Sequence, residues 1–399
     1  MNARATFIKI WAASFISTIG TFMLLLAITA KVYTHTHSVF YSSLVFPSQW
    51  IAGLFLLSLI GNWSQGKRVH KRFLMSECCG AFFSVLAGYA FNRSALLLFF
   101  FLSLRGIGEN ATKALRSVSM KRYFDGDERK KASSLINSSY YLGTGAGALL
   151  GSYFINYFSI LELAYIDGAT FIVSGILYYS VGPEQSAAYE ISSGSSLKET
   201  LNEWKKHPSL LGIIGYTILA VAAFQGFHNL CRGPLPITVL NIGEKGVLYF
   251  QLTFCIGITL ATIIVKRYFY KTFWEKSIPY MIGGLLLIPL IAYTQLLWLN
   301  FVFYFLMALI FEIIFTINYK EAIEHCPEHL IGKLGVIFPT FASLAMTATI
   351  LFFGKIMDWK DFQTGSLILF CFFELSFLAS FVFYKIFMRK YVQETSRIC

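Results

Sequence analysis

Residues 182–207, GPEQSAAYEISSGSSLKETLNEWKKH, form the one long polar connection of this sequence and fall at its middle. On either side the chain consists of apolar runs of 18 to 25 residues, each long enough to cross a hydrocarbon core as a helix. Hydrophobic residues make up 56% of the chain and charged residues only 14%, against about 25% in soluble domains. This pattern excludes a soluble globular protein and predicts an all-α membrane protein.

Six apolar runs precede the polar connection and six follow it. We expect transmembrane helices at 8–31, 39–61, 73–91, 95–119, 133–157, 161–181, 209–231, 246–266, 277–294, 297–319, 335–354 and 364–387. The sequence predicts an N-terminal six-helix bundle at 1–181, a cytoplasmic linker at 182–207 and a C-terminal six-helix bundle at 208–399. The second part of the linker, from about Ser196, is expected to form an amphipathic helix. Two such halves are typical of transporters built from parallel repeats with pseudo-two-fold symmetry.

The distribution of Lys and Arg predicts the orientation of the chain. When alternate loops are assigned to opposite sides, 25 of the 33 basic residues fall on the side of the termini and 6 on the other. Arg105 and Lys113 fall within a span. Basic loops stay in the cytoplasm, so we expect a multi-pass protein of the cytoplasmic (inner) membrane with both termini inside. The net charge of +12 is explained in this way, and no nucleic-acid partner is expected.

Several functional classes lack their motifs in this chain. The seven cysteines show no CxxC or zinc-like spacing, so we expect neither a disulfide framework nor a metal site. The sequence has no P-loop, no Rossmann glycine fingerprint and no HExxH motif. We therefore expect no cofactor, no enzyme activity and no ATP-driven pumping, so an ion gradient is the expected driving force.

The connection after the second span carries a glycine followed by a basic cluster. Residues 61–72 read GNWSQGKRVHKR, which resembles the G-x-x-x-D-x-x-G-R-K-like signature loop of the major facilitator superfamily. Gln65 stands at the aspartate position, where a neutral amide can hydrogen-bond but cannot pair as an anion. The resemblance implies that Gly61, Gln65, Lys67 and Arg68 belong to a conformational loop.

Three further motifs occur in the order that this resemblance requires. In span five, LGTGAGALLGS at 142–152 resembles an antiporter signature with Ala148 in place of proline. Its glycines lie four apart on one helix face, where they serve close helix packing; plain packing is the alternative to an antiporter role. The predicted packing glycines are Gly143, Gly147 and Gly151.

The other two motifs narrow the resemblance to one branch. AYIDGATF at 164–171 and PEHLIGK at 327–333 are similar to patterns of the branch that contains macrolide-efflux pumps and enterobactin-type siderophore exporters. The resemblance implies twelve helices in two bundles and a monomer that moves a small-molecule substrate across the lipid bilayer by alternating access.

Span four carries the densest set of ionisable residues within the predicted membrane region. Arg105, Glu109, Lys113 and Arg116 are separated by 4, 4 and 3 residues and occupy an arc of about 80° on a helix. Charged side chains in a bilayer cost about 2.5–3.5 kcal/mol each on insertion scales, so this face is expected to point into the protein. We predict that Arg105 and Lys113 bind substrate and that Glu109 couples proton binding to it. A static ion pair that clamps span four to its neighbours is the alternative.

Other candidates are spread over both halves. Three more buried carboxylates, Asp167, Glu312 and Glu374, are predicted to carry protons, with a helix-end role for Asp167 and a helix-pairing role for Glu374 as alternatives. The remaining substrate candidates are polar or amphipathic residues, with structural hydrogen bonding or interface anchoring as the alternative: Gln49, Trp50, Asn137, Tyr140, Tyr141, Gln225, His228, Asn229 and Gln251.

These features together predict a secondary active transporter. The expected function is proton-coupled export of a small organic molecule, with a carboxylate siderophore favoured because the charges of span four are mostly positive, and a lipophilic drug next. A proton-coupled nutrient importer on the same fold is one alternative, since the sequence does not determine direction. A non-transporting membrane receptor or scaffold is another, although it has little need for four charges on one helix face. A membrane enzyme is a third alternative and lacks a recognisable nucleophile or metal constellation.

Overall fold

The computed structural model describes residues 3–183, 204, 207–269, 274–326 and 331–398. Over these residues the chain is helical and contains no strand, which confirms the all-α prediction. Nine helices of this part of the chain are long and apolar enough to cross a membrane, and the shorter helix Ile278–Tyr293 is also apolar. The amphipathic helix predicted from Ser196 and the start of the motif at 327–333 lie outside the described residues.

The helices of the first half follow the predicted order closely. They are α1 (Ala3–Thr36), α2 (Val39–Ser43), α3 (Val45–Phe55), α4 (Leu57–Ser64), α5 (Val69–Ala90), α6 (Ala95–Tyr123), α7 (Gly126–Phe154) and α8 (Ile160–Tyr179). Local sequence explains where helices begin. At α8, Ser159 and Glu162 form a capping box in which Ser159 Oγ accepts the Glu162 N–H at 3.3 Å and Glu162 Oε2 accepts the Ser159 N–H at 2.7 Å.

The helices of the second half are interrupted more often. They are α9 (Pro208–Ala220), α10 (Gly226–Cys231), α11 (Glu244–Ile264), α12 (Ile278–Tyr293), α13 (Leu297–His325), α14 (Ile331–Trp359) and α15 (Phe362–Ile398). A π-helical turn, Val221–Gln225, joins α9 to α10 within the predicted seventh span. Such turns are frequent at functional sites. Pro208 opens α9 at a position where its missing N–H leaves no helical hydrogen bond unmade.

The second predicted span differs from a single helix. The run 39–61 forms α2, α3 and α4, with breaks at Leu44 and Leu56. Pro47 explains the first break, because proline lacks an N–H and its ring clashes with the carbonyl four residues earlier. The sequence predicted one span here, and the breaks divide it into segments, of which α3 and α4 both pack on α6.

The chain divides into two compact units. Unit 1 comprises the described residues of Met1–His37, Tyr41–Ile191 and Pro236–Cys255, and unit 2 comprises those of Ser38–Phe40, Ser192–Leu235 and Ile256–Cys399. In unit 1, α1 packs on α7 and α8, α5 packs on α6 and α8, and α3 packs on α6. In unit 2, α13 packs on α9 and α12, and α15 packs on α12 and α14. The predicted bundle limits at 181 and 208 stay a prediction.

Glycines allow α1 and α7 to approach closely. A Cβ at Gly147 would lie 2.5 Å from the Ile19 carbonyl oxygen, and a Cβ at Gly143 would lie 2.7 Å from the Thr18 Cβ. At Gly151 the nearest atom would be the Leu248 Cδ2, at 2.3 Å. All three glycines of the span-five motif therefore stand where a side chain would push α7 away from its neighbours.

Candidate functional site

Arg105 on α6 is the centre of a buried polar network in unit 1. Its Nε donates to Ser84 Oγ at 2.8 Å, and its Nη2 donates to Thr21 Oγ1 at 2.8 Å and to Asp167 Oδ2 at 3.0 Å. Its Nη1 donates to Gln49 Oε1 at 2.6 Å. The side chains of Arg105 and Asp167 are both fully buried. The guanidinium thus joins α6 to α1, α3, α5 and α8.

Glu109, one turn further along α6, has two cationic partners. Its Oε2 lies 3.4 Å from Arg105 Nη1, and its Oε1 lies 2.7 Å from Lys113 Nζ. The side chain of Glu109 is 18% exposed and that of Lys113 is 36% exposed, whereas Arg105 is 0% exposed. Exposure therefore increases along the charged row Arg105–Glu109–Lys113. We call the buried Arg105 its closed end and the partly exposed Lys113 its open end.

Close backbone approaches hold this network together. A Cβ at Gly106 would lie 2.1 Å from the Gln49 carbonyl oxygen, so only glycine lets α3 bring Gln49 to Arg105. A Cβ at Gly20 would lie 2.6 Å from Asp167 Oδ1, so α1 closes over the carboxylate. These contacts explain why the pair is shielded from solvent, and why the attraction between its charges is less screened than at a surface.

A small polar cavity lies beside the charged row. It has a volume of about 10 Å³, roughly the space for one water molecule, and Glu77, Glu109, Thr112, Arg116 and Tyr140 belong to its lining. Glu77 on α5 is only 1% exposed. Glu77 was not among the residues predicted from the sequence. Its position inside the apolar run FLMSECCGAFF at 73–83 could have marked it as a buried acid.

Arg116 and Asp167 are both held by partners on other helices. Arg116 donates from Nη1 to Ser14 Oγ and lines the cavity with Glu109. Asp167 was given a helix-end role as an alternative because it lies near the start of span six. The structure places it within α8 as the fully buried partner of Arg105, because α8 begins at Ile160 and Asp167 is two turns inside.

The aromatic candidates of unit 1 are divided between interior and surface. Tyr140 lines the cavity, with Lys113 Nζ 5.9 Å from the centre of its ring. Trp50 packs against the apolar core of the unit. Tyr141 is 39% exposed on α7, and its ring meets that of Tyr140 edge to face, with 5.8 Å between the ring centres. The side chain of Asn137 lies outside the described part of the chain.

A second polar cluster lies in unit 2. His228 Nδ1 lies 2.5 Å from Tyr304 Oη, and Arg232 Nη2 lies 2.7 Å from His228 Nε2. Arg232 Nη1 donates to Asn229 Oδ1 at 2.9 Å, and Asn229 Nδ2 donates to the Gln225 carbonyl at 2.7 Å. The predicted residues of span seven therefore lie together around the buried Arg232, and the hydrogen bonds among them fix their positions.

Three predicted residues remain, Glu312, Glu374 and Gln251. Glu312 is 8% exposed, and its Oε1 accepts the Thr316 hydroxyl at 3.1 Å. Glu374 lies on α15, with its Oε2 buried. Gln251 belongs to unit 1, where its Nε2 donates to Cys255 Sγ at 3.5 Å.

Backbone carbonyls of the basic loop accept hydrogen bonds from an arginine of α6. Arg122 at the end of α6 donates to the carbonyls of Gln65 and of Gly66, the latter at 2.8 Å. Arg68 adopts a left-handed conformation, with φ at 62°. Among the described residues, no atom of another segment lies within 4 Å of a Cβ built at Gly61, so a close approach does not require glycine at this position. The loop thus has a latch on α6 even though Gln65 replaces the aspartate of the superfamily signature.

The helical fold and the buried charge network are those of a multi-span membrane transporter, and the comparisons identify the family. The model of the Major Facilitator Superfamily matches residues 10–349, and the chain belongs to that superfamily. The predicted superfamily and its twelve-helix fold in two six-helix bundles are confirmed. A search of curated proteins finds no significant match. The macrolide and siderophore branch stays a prediction.

Solved transporter structures are similar over nearly the whole chain. A bacterial homolog of the human lysosomal transporter Spinster, in an inward-facing and unoccupied conformation, has a TM-score of 0.74 and 12% identity, with 98% of each chain covered. The nucleoside transporter NupG has a TM-score of 0.74 and 14% identity, with 96% of this chain and 99% of that one covered. The POT family transporter PepTSo has a TM-score of 0.68 and 12% identity, with 97% and 98% covered. At these identities the likeness concerns the fold alone.

Proposed function

We propose that this member of the superfamily is a proton-coupled secondary transporter of a small organic anion. The observation that carries the proposal is the row Arg105–Glu109–Lys113, in which one carboxylate is shared between a closed, fully paired cation and an open one. Ionised groups are costly in a membrane and are retained where they bind a substrate or an ion. A scaffold has no need for a partly open charge row beside a polar cavity.

Lys113 is the better substrate contact of the two predicted cations. Every N–H of the Arg105 guanidinium has an acceptor, so a substrate group at Arg105 would have to displace Asp167, Gln49 or Thr21. Lys113 is partly exposed and has only Glu109 as an ion-pair partner among the described residues. Arg105 acts as the clamp, which the sequence left as the alternative, and its contact with substrate stays a prediction.

Substrate and proton are linked through Glu109. An anion that binds Lys113 displaces Glu109 from the nearer of its two cations and leaves it only the 3.4 Å contact with Arg105. A carboxylate that loses part of its pairing in the membrane binds a proton more readily. Binding of the anion and binding of the proton therefore support each other. The closed end of the row, Arg105 with Asp167, keeps α6 in place during this exchange.

The sequence motifs and this linkage favour different directions. The motifs in spans five and six favour export, with a carboxylate siderophore as the first substrate class and a lipophilic drug as the second. Uptake is the second candidate, because a proton and an anion that bind together are carried in the same direction. A cationic substrate would instead compete with the proton for Glu109, which is the relation that proton-driven export requires.

Transport in proteoliposomes with an imposed pH gradient tests the proposal. Carboxylate siderophores and lipophilic cations would be screened while substrate and proton fluxes are recorded together. We expect proton movement that depends on an anionic substrate and is lost in Glu109→Gln. The matched control is Glu324→Gln, which breaks a peripheral Lys–Glu pair of the same i,i+4 spacing, with 3.6 Å between Lys320 Nζ and Glu324 Oε1. Flux without proton movement, or an equal loss in both variants, contradicts the proposal.

A further inference from the structure

Glu77 ends a chain of hydroxyl groups between α5 and α6. Its Oε1 lies 2.9 Å from Thr112 Oγ1. Thr112 Oγ1 lies 2.8 Å from Ser76 Oγ, and Ser76 Oγ lies 2.9 Å from the Phe73 carbonyl oxygen. These three short contacts are all buried, and they leave no room for a water molecule between the groups.

The hydrogens available to this chain are fewer than its contacts. A carbonyl only accepts, so the Ser76 hydroxyl donates to Phe73 and its one hydrogen is used. The one hydrogen of Thr112 then serves either Ser76 or Glu77. When Thr112 donates to Ser76, a protonated Glu77 carboxyl supplies the hydrogen between Glu77 and Thr112, and every contact of the chain is a hydrogen bond. The other hydroxyl beside Glu77 belongs to Ser174, and it donates to the Ala13 carbonyl at 3.0 Å.

The charges around Glu77 agree with a neutral acid. No Lys, Arg or His nitrogen of the described residues lies within the 4.0 Å of an ion pair with its carboxyl, and its Oε2 is buried with no hydrogen-bond partner. Ionising such a group is costly. From α6 it faces Glu109 and Arg116, and from α8 it faces Tyr178, while Arg105 and Asp167 are occupied with each other.

We propose that Glu77 holds the coupled proton as a neutral carboxylic acid and passes it to Glu109 through the small cavity that both residues line. In this step the O–H bond of Glu77 breaks, the proton reaches the Glu109 carboxylate by way of a water molecule, and the Thr112 hydroxyl turns to donate to the new Glu77 carboxylate. Arg116, which lines the same cavity, faces the charge that Glu77 gains. The transport role of this relay rests on the proposed function, whereas the protonation of Glu77 does not.

Infrared difference spectroscopy of the full chain in lipid tests the protonation without any substrate. We expect wild type minus Glu77→Gln to show the C=O stretching band of a protonated carboxylic acid at neutral pH. Wild type minus Glu109→Gln should instead show carboxylate bands. Thr112→Val should shift the Glu77 band, because it removes the acceptor of the acid proton, and this variant keeps the test valid if Glu77→Gln does not fold. Carboxylate bands in the Glu77→Gln difference, or no shift in Thr112→Val, overturn the proposal.

Transport measurements separate this inference from the proposed function. Two rates would be measured, substrate accumulation driven by a pH gradient and substrate exchange at equal pH. The ratio of the first to the second should be lower in Glu77→Gln than in wild type. An unchanged ratio overturns the proton transfer from Glu77 to Glu109. If wild type moves no substrate at all, the proposed function fails, while the spectroscopic assignment of the Glu77 proton still stands.

Discussion

Arg105 shows both what residue spacing predicts and what it leaves open. The spacing of 4, 4 and 3 residues correctly places Arg105, Glu109, Lys113 and Arg116 along one side of α6. It does not reveal Asp167, which is 62 residues away and reaches Arg105 only because α8 packs beside α5 and α1. Glu77 was missed for a related reason, since its importance depends on hydroxyls from another helix rather than on its own neighbours in sequence.

The first prediction concerns the buried ion pair. Asp167→Asn should lower the thermal stability of the protein strongly, because it removes the fully buried partner of Arg105 and leaves only the longer contact with Glu109, at 3.4 Å. Removing one partner of such a pair costs about 3–5 kcal/mol. Glu109→Gln, at an 18% exposed site, should cost much less. Thermal unfolding of the two variants in detergent measures the difference, and equal losses would show that the Asp167 pair is not the clamp.

The second prediction concerns Lys113. Lys113→Gln should weaken binding of an anionic substrate about tenfold or more, since a hydrogen bond to a charged group contributes about 1.5–3 kcal/mol. The matched control is Lys320→Gln, at the peripheral pair on α13, which should bind like wild type. Isothermal titration of both variants checks this, and an unaltered affinity in Lys113→Gln would remove Lys113 from the binding site.

At the scale of helices, apolar run length predicts most spans but not their interruptions. The predicted runs at 95–119 and 297–319 correspond to α6 and α13, and both helices continue beyond the runs by several polar residues. The run at 39–61 breaks at Leu44 and Leu56. Pro47, which explains the first break, is visible in the sequence, but the hydropathy of the run does not register it. The π-helical turn Val221–Gln225 has no comparable signal in the sequence, because it depends on how α9 and α10 pack against α13 and α14.

The third prediction concerns the packing of α1 on α7. Gly147→Ala should destabilise the protein by about 1–3 kcal/mol, as overpacking of a close interface does, because its Cβ would lie 2.5 Å from a backbone oxygen of α1. Gly145→Ala on the same helix is the control, since its nearest neighbour would be the Leu252 Cδ1 at 3.7 Å. Thermal unfolding compares them. Equal stability of the two variants would show that the glycine motif is not a packing contact.

At the scale of the whole molecule, the sequence predicts the fold class and family because a membrane restricts the chain to helices of set length. The pairing of helices and the division of the chain are harder to predict. Residues Pro236–Cys255 belong to unit 1 although they come from the second half of the sequence, and there Lys31 Nζ pairs with Glu244 Oε2 at 2.7 Å. No local sequence pattern marks this pair, because Lys31 lies near the start of the first half and Glu244 lies in the second half.

The fourth prediction concerns orientation in the membrane. The excess of basic residues in alternate loops predicts that both termini and the linker at 182–207 lie in the cytoplasm. Reporter fusions after residues 195 and 398 should therefore give cytoplasmic signals, and an insertion at 294–296, between α12 and α13, should be labelled from outside. A terminal reporter exposed to the outside would contradict the orientation.

The most direct test of the whole account is the number of protons that the purified protein binds or releases when an anionic substrate is added in weakly buffered solution. We predict proton uptake that is lost in Glu109→Gln and kept in Glu324→Gln, because binding of the anion and binding of the proton support each other. Proton release would indicate exchange and contradict this linkage. Substrate binding with no proton change in wild type, or the same change in Glu109→Gln, would contradict a transporter that is coupled through the charge row of α6.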